Sequence, residues 1–303
     1  MQPVTAKRSS ISNTAEPRAR ALLITGTSTG IGRAAALRFA RGGWTVFAGV
    51  RRVADGEALA REGGSAIRPL LLDVTDVASI VTAFEAVSST TPALDALVNN
   101  AGTSLAGPME LLPAEELRAH FALNFFAPIE LVQTFLPLLR AARGRIINVS
   151  SIQGRFVAPF LGAYAASKHA LEAACDALRV ELAPWGIKVV AIEPGAVRTP
   201  IWQRSSERSF ALFEALGPAR RDLYDGALRA TRTLAERLAQ QAIDPDVVAR
   251  TIERAVLAPR PKARYLVGTD ARVRLAFARL PDALRDRLYL MLIERIKARL
   301  PKA

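Results

Sequence analysis

The sequence contains a single cysteine, Cys175, in 303 residues, so no disulfide can close within the chain. That absence points to a reducing compartment, and the expected location is cytoplasmic. There are only two histidines, His120 and His169, and neither stands at metal-ligand spacing from a partner. Both read as structural, and no metal site is expected. Aromatic residues are only 6% of the chain. They do not interleave with a basic stretch, and no nucleic-acid motif is present, so nucleic acid is not expected as a partner. No unbroken apolar run approaches the ~18 residues that span a bilayer. The first 20 residues hold Lys7, Arg8, Arg18 and Arg20 against Glu16 without an apolar core, which does not describe a secretory signal. Residues 1–20 are expected to be a disordered tail, with a transit-type peptide as the alternative.

Acidic residues are also in short supply. The formal net charge is +13, and residues 260–303 alone hold twelve Lys/Arg against four Asp/Glu. Such a surface attracts anionic lipid or an acidic carrier protein. Half the residues are hydrophobic, enough to bury a full core. Short apolar runs alternate with longer helical patterns, which predicts an α/β fold with one parallel sheet wound on both faces. Strands are expected at 21–25, 44–50, 66–72, 94–98, 145–150 and 187–193, with a seventh at 264–268. Residues 21–268 then form the catalytic domain, in which 200–243 make mobile helices over the substrate. Residues 269–303 form a basic amphipathic extension outside the sheet.

Tyr164 and Lys168 stand one turn apart on a predicted helix over 162–184. They head a stripe that continues through Leu171, Cys175, Leu178 and Leu182. A lysine leading an apolar face needs a partner for its ammonium. An ammonium about 4 Å from a phenol contributes roughly 4 kcal/mol at an effective dielectric near 20, about three pKa units. That would bring the tyrosine within range of proton transfer. The alternative is a snorkelling lysine beside a core tyrosine. Further upstream, Thr25-Gly26-Thr27-Ser28-Thr29-Gly30-Ile31-Gly32 joins a strand to a helix, as a pyrophosphate-binding turn does. Its glycine spacing differs from the usual dinucleotide fingerprint. The second strand ends in Val50-Arg51-Arg52 with no acid at its tip. A carboxylate there suits NAD, whereas an arginine suits a 2′-phosphate, so Arg51, joined by Arg33, argues for NADP(H) over NAD(H). Asp73-Val74 closes the third strand where an adenine edge would lie. Asn124 lies inside a long helix over 114–142, four residues before Pro128. Proline has no N–H for the Asn124 carbonyl, so a kink is expected there, leaving that carbonyl free for a water.

Taken together, the sequence resembles the short-chain dehydrogenase/reductase family of the Tyr-x-x-x-Lys group. The matching pieces are Thr25 to Gly32, Asp73, Asn99-Asn100-Ala101-Gly102, Asn124, Ser151, Tyr164 with Lys168, and Pro194-Gly195 followed by Thr199. They span residues 21–200 in the family's order. The resemblance implies a single Rossmann-type domain and a Ser151–Tyr164–Lys168 triad assisted by Asn124. In that scheme Tyr164 exchanges the proton, Ser151 fixes the substrate oxygen, and Lys168 also holds the nicotinamide ribose. Val197 and Thr199 hold the carboxamide. Ser150 competes with Ser151 for the serine role, and the family's spacing to the tyrosine favours Ser151.

Ile152, Phe156, Val157, Phe160, Val197, Ile201 and Trp202 occupy loops expected at the carboxyl ends of the strands. An apolar lining of that kind predicts a lipophilic alcohol or ketone as substrate. The Val46–Arg51 and Pro261–Gly268 segments resemble retinol- and hydroxysteroid-dehydrogenase-like members, which implies retinoid- or steroid-like substrates. A carrier-linked 3-oxoacyl reductase and a non-catalytic NADP-sensing regulator are the alternatives. A homo-oligomer is expected. The Leu288–Ile293 run, flanked by arginines, reads either as peripheral membrane contact or as packing over the cleft or a subunit.

Overall fold

Strand β1 (Ala21–Ile24) is apolar and buried at every position, as a strand must be when helices cover both faces of its sheet. The chain was analysed as a computed structural model that describes residues 18–299. After β1 come α1 (Gly30–Arg41), β2 (Thr45–Val50), α2 (Val53–Gly63), β3 (Ile67–Leu71), α3 (Val77–Ser88) and β4 (Ala96–Asn99). Helix α4 (Ala114–Phe121) runs through a π-helical turn (Ala122–Phe126) into α5 (Ala127–Ala142). Then follow β5 (Arg145–Val149), α6 (Gly162–Glu181), β6 (Lys188–Pro194), α7 (Ile201–Glu214) and α8 (Pro218–Gln240). The described chain closes with α9 (Pro245–Leu257), β7 (Arg264–Val267), α10 (Thr269–Phe277) and α11 (Asp282–Lys297).

All strand pairs are parallel, in the order β3-β2-β1-β4-β5-β6-β7. The chain winds outward from β1 through β2 and β3, then crosses back to β4. The switch point between β1 and β4 therefore opens at the carboxyl ends of the strands, the place where such sheets bind ligands. Alternating side chains of β1 feed two cores. Leu22 and Ile24 join Phe39, Val248 and Ile252 on one face, while Leu23 joins Leu131, Phe135 and Leu171 on the other.

The sheet agrees with the sequence reading, with strand ends displaced by a residue or two. Three expectations change. Arg18 and Arg20, assigned to a disordered tail, are fastened to the domain: Arg18 pairs with Asp95 at 2.8 Å and Arg20 lies 4.7 Å over the Trp44 ring. The rest of that tail lies outside the described residues. The long helix expected over 114–142 is interrupted by a π turn: the Ala127 N–H reaches back five residues to the Ala122 carbonyl, with Asn124 in the turn. The 114–142 stretch is apolar and long enough to cross a membrane, yet Leu131, Phe135 and Leu139 are sheet-packed core.

The third change concerns the loop after Ser151. Ile152 and Phe156 were expected to line the substrate cleft, together with Val157 and Phe160. Instead Ile152 and Phe156 are buried in a small core with Ala271. Phe156 and Phe277 have ring centroids 6.2 Å apart, Tyr289 lies 5.3 Å from Phe277, and its hydroxyl donates to the Val157 carbonyl at 3.3 Å. Phe160 meets Tyr224 of α8. These side chains are the seat for α8, α10 and α11, so the extension packs beside the cleft. The 200–243 segment forms α7 and α8, fastened to α4 by Arg208–Glu116 and to the β4–α4 loop by Tyr224–Glu110 at 2.6 Å. The Trp202 side chain lies outside the described residues.

Candidate active site

The turn after β1 is shaped by residues without side chains. Gly26 and Gly30 have φ of +68° and +59°, a region that strains any residue with a Cβ. A Cβ on Gly32 would collide with the Gly26 carbonyl and the Asn100 amide, and one on Gly30 would lie 2.9 Å from Thr199 Cγ2. The N-cap of α1, Thr29, makes no side-chain capping bond, which leaves the first-turn amides of the helix to an anion. The cradle therefore fits a dinucleotide pyrophosphate. Asn100 braces it, its amide donating to the Thr25 and Gly26 carbonyls at 2.9 and 3.1 Å. Thr25 Oγ1 in turn accepts from the Asn100 and Ala101 N–H groups, both at 3.0 Å. Asn100 and Ala101 thus act as the frame of the turn.

At the outer end, the arginines differ in their engagements. Arg33 is paired with Glu62, and Arg52 with Asp55. Arg51 is exposed and has no ion pair among the described residues. The Asp73 carboxylate accepts from the Thr75 hydroxyl and N–H at 2.7 and 2.9 Å. Those bonds, with help from the Arg51 charge, hold it below the usual carboxylate range. The Val74 side chain is buried in the core.

The chemical centre forms where β5 ends beneath α6. Ser151 Oγ accepts from the Gln153 N–H at 3.1 Å, which fixes its rotamer, and it hydrogen-bonds the Tyr164 phenol. Burial pushes that phenol above its ordinary value, and the Ser151 bond opposes the shift. Lys168 is buried, its Nζ donating to the Val149 carbonyl at 2.9 Å and lying 6.0 Å from the Tyr164 ring centroid. The ammonium is thus anchored at the end of β5, on the same side of α6 as the Tyr164 ring. Burial pushes Lys168 down to about 8. Ser150, the competing serine, has a buried Oγ without a partner, and the bond to Tyr164 belongs to Ser151.

Asn124 lies behind this group with its amide spoken for: Oδ1 accepts from the Thr103 N–H at 3.0 Å, and Nδ2 donates to the Thr103 carbonyl at 2.9 Å. Nδ2 also lies 3.1 Å from both Ser167 Oγ and His120 Nε2. His120 is therefore part of the site's support. It is buried, pushed down to about 4 chiefly by that burial, and its ring centroid lies 6.1 Å from that of Tyr164. Its place one turn before Asn124 was the only sequence signal. Another residue missed in the sequence is Asp270, whose Oδ2 accepts from the Ala196 N–H at 2.9 Å. A Cβ on Gly195 would collide with that carboxylate, so the start of the extension clamps the Pro194–Gly195 turn.

One cleft collects most of the expected residues: Thr29, Gly30, Ile31, Asn100, Gly102, Ser151, Tyr164, Lys168, Pro194, Gly195, Val197 and Thr199. Thr103, Val149, Ser150, Pro200 and Ile201 complete the wall. Gly26, Ser28, Gly32, Arg51, Asp73, Val74, Ala101 and Asn124 do not line it. A glycine cradle at a sheet's switch point, adjoining a buried serine, tyrosine and lysine, defines a nucleotide-dependent oxidoreductase site.

The comparisons agree with that class. A profile of the short chain dehydrogenase family matches residues 20–209. The chain is 33% identical to an NADPH-dependent 3-dehydrocapnine reductase of Ornithobacterium rhinotracheale, over 89% of this chain and 96% of that protein. It is 36% identical to human retinol dehydrogenase 5, over 88% and 86% of the two chains. The structure of a short-chain dehydrogenase from Streptomyces avermitilis superposes with a TM-score of 0.73 at 30% identity, covering 94% of this chain and 98% of that one. The chain belongs to the short-chain dehydrogenase/reductase family and is an NAD(P)-dependent oxidoreductase.

Proposed function

We propose that the protein uses NADP(H) to interconvert a lipophilic alcohol and ketone, with Tyr164 as the acid and base. The observation that carries this reading is the Ser151–Tyr164–Lys168 group in one cleft with the glycine turn. When bound, the nicotinamide supplies or receives the hydride. Gly26, Gly30 and Gly32 would admit its pyrophosphate, Arg51 its 2′-phosphate, and Val197 with Thr199 its carboxamide. Ser151 holds the substrate oxygen against the Tyr164 phenol, which gives or takes the proton at that oxygen. Lys168 holds the ribose and keeps positive charge near the phenol as proton density shifts. Asn124, locked by Thr103 and His120, fixes the π turn behind the lysine.

Support for the lipophilic substrate comes from Val149, Val197, Pro200 and Ile201 on the cleft wall, and from the similarity to retinol dehydrogenase 5. Arg51, which has no ion pair among the described residues, and the similarity to an NADPH-dependent reductase support NADP(H). NADPH oxidation with ketones of graded size tests both parts. Turnover should rise with apolar size, and consumption of small polar carbonyls alone would remove the lipophilic assignment. In the same assay Arg51→Asp should lower the NADPH/NADH preference about 10- to 100-fold, the loss of one charge-assisted phosphate contact. An unmoved ratio would take Arg51 out of the site.

The chain is also proposed to form homo-oligomers. Phe126, in the π turn, is 53% exposed and Val180 on α6 is 71% exposed. Large apolar side chains left outward on adjoining helices support a subunit contact. Light scattering should give a multiple of the 32.6 kDa chain mass, and a monomer mass at micromolar concentration would refute the assembly.

A further inference from the structure

A second charged group lies behind the catalytic lysine. Glu172 follows Lys168 by one helical turn on the buried stripe of α6, and its side chain is only 6% exposed. Its Oε2 accepts from Arg264 Nε of β7 at 2.9 Å. The same guanidinium donates through Nη2 to Asp176 Oδ2 at 2.7 Å, and its Nε lies 3.3 Å from Glu193 Oε1. Glu193 is at the end of β6, next to the Pro194–Gly195 turn, with a side chain 1% exposed. Arg155, from the loop after Ser151, reaches Glu193 Oε2 at 3.5 Å.

A buried carboxylate is costly unless cations compensate it. Arg264 is shared among Glu172, Asp176 and Glu193; Asp176 has a second partner in Arg179 and Glu193 one in Arg155, whereas Glu172 has only the shared Arg264 among the described residues. Glu172 Oε1 and Glu193 Oε1 are buried without hydrogen-bond donors. Lys168 is the nearby cation on the same stripe. The local packing holds this carboxylate close to the site: a Cβ on Gly154 would lie 2.9 Å from Glu172 Cγ, 2.9 Å from Ser150 Oγ and 3.0 Å from the Lys168 carbonyl. The catalytic-serine loop is thus pressed directly onto Glu172.

We infer that Glu172 is a positioning residue for the reaction: fixed by Arg264, it holds the Lys168 side chain in its charged form beside Tyr164. The inference rests on the acid–base roles proposed above. Around Lys168, α6 supplies Tyr164, Glu172 and Cys175, β5 supplies the Val149 carbonyl, and α4 supplies His120. Around Glu172, β7 supplies Arg264, β6 supplies Glu193, the β5–α6 loop supplies Arg155, and α6 adds Asp176 with its own partner Arg179. Of these, Glu172 is the largest influence opposing the burial of the Lys168 ammonium. Burial and the Glu172 charge both push the Glu193 carboxyl up.

The test is the pH profile of carbonyl reduction by Glu172→Gln, with Glu172→Asp as the charge-retaining variant. The alkaline limb of kcat/KM should move to lower pH by about one unit or more in Glu172→Gln. In Glu172→Asp it should stay within a few tenths. NADPH binding followed by fluorescence across pH 6–10 reads the same ammonium without turnover. The transition should shift in Glu172→Gln and vanish in Lys168→Met. A wild type inert toward every carbonyl would refute the proposed function and still leave this binding readout. Identical transitions in wild type and Glu172→Gln, with both folded by circular dichroism, would overturn the inference. Should Glu172→Gln not fold, an alkaline limb in Glu172→Asp moved as far as a full unit would overturn it as well.

Discussion

Tyr164→Phe should lower kcat by roughly 10²–10⁴-fold, the range carried by a positioned proton donor, while NADPH binding stays within about twofold. The ring is buried beside His120, and phenylalanine refills that space without a new cavity. What disappears is one oxygen and its bond to Ser151. A neutral bond of this kind contributes about 1 kcal/mol to stability, too little to unfold a domain of this size. A large loss of turnover in a folded, cofactor-binding protein would therefore report chemistry. The check is NADPH absorbance with a ketone substrate, alongside a thermal melt and a binding titration. Turnover preserved in the phenylalanine variant would remove Tyr164 as the proton donor and the mechanism with it.

The outline of this site was legible because its parts are local. A strand, a glycine turn and a helix are contiguous in Ala21–Arg41, and backbone conformations there follow from the residues themselves. Tyr164 and Lys168 share a helix, so their common face needs only a period of 3.6. Pro128 announced the disturbance at Asn124 because a missing N–H is a covalent fact. The illegible parts depend on segments far apart in the chain. Glu172 has the spacing of the stripe, but an acid on a helix ordinarily faces water, and its partner Arg264 lies 92 residues later. His120 gains its place only when α4 meets α6. The aromatic run after Ser151 reads as cleft lining because it follows the serine proposed to hold the substrate oxygen. Its real neighbours, Phe277 and Tyr289, belong to the extension, and local pattern cannot say where an extension docks. The direction of the Lys168 ammonium was undetermined for a related reason. A side chain with four rotatable bonds goes to the acceptor that the sheet provides, here the Val149 carbonyl.

Lys168→Met should remove activity and, at pH 7, make the fold more stable. The wild-type ammonium is buried, and its pKa falls from 10.5 to about 8 in the folded protein. Between those values the unfolded chain binds more protons than the native one, so stability rises with pH across the window. The stability linked to this depressed group is fully present above 10.5 and lost as pH falls through about 8. At pH 7 the native state therefore bears the whole penalty, roughly 3 kcal/mol by the size of the shift. Methionine has a similar length and no charge to desolvate. It leaves the Val149 carbonyl without its donor, at a cost of about 1–3 kcal/mol, so the net gain at pH 7 is on the order of 1 kcal/mol. For a chain of this length that is about 2–4 °C in Tm. The sign and its pH dependence identify the cause: the advantage of Lys168→Met should shrink from pH 7 to pH 10.5 and then reverse, because the neutral amine still bonds Val149. Melts at both pH values measure this directly. A wild type more stable than the variant at pH 7, or a gap that does not move with pH, would mean that Lys168 is not a strained ammonium. In the expected outcome, the residue that makes the chemistry possible is also the one the fold holds at a loss, which is how a functional charge differs from a structural one.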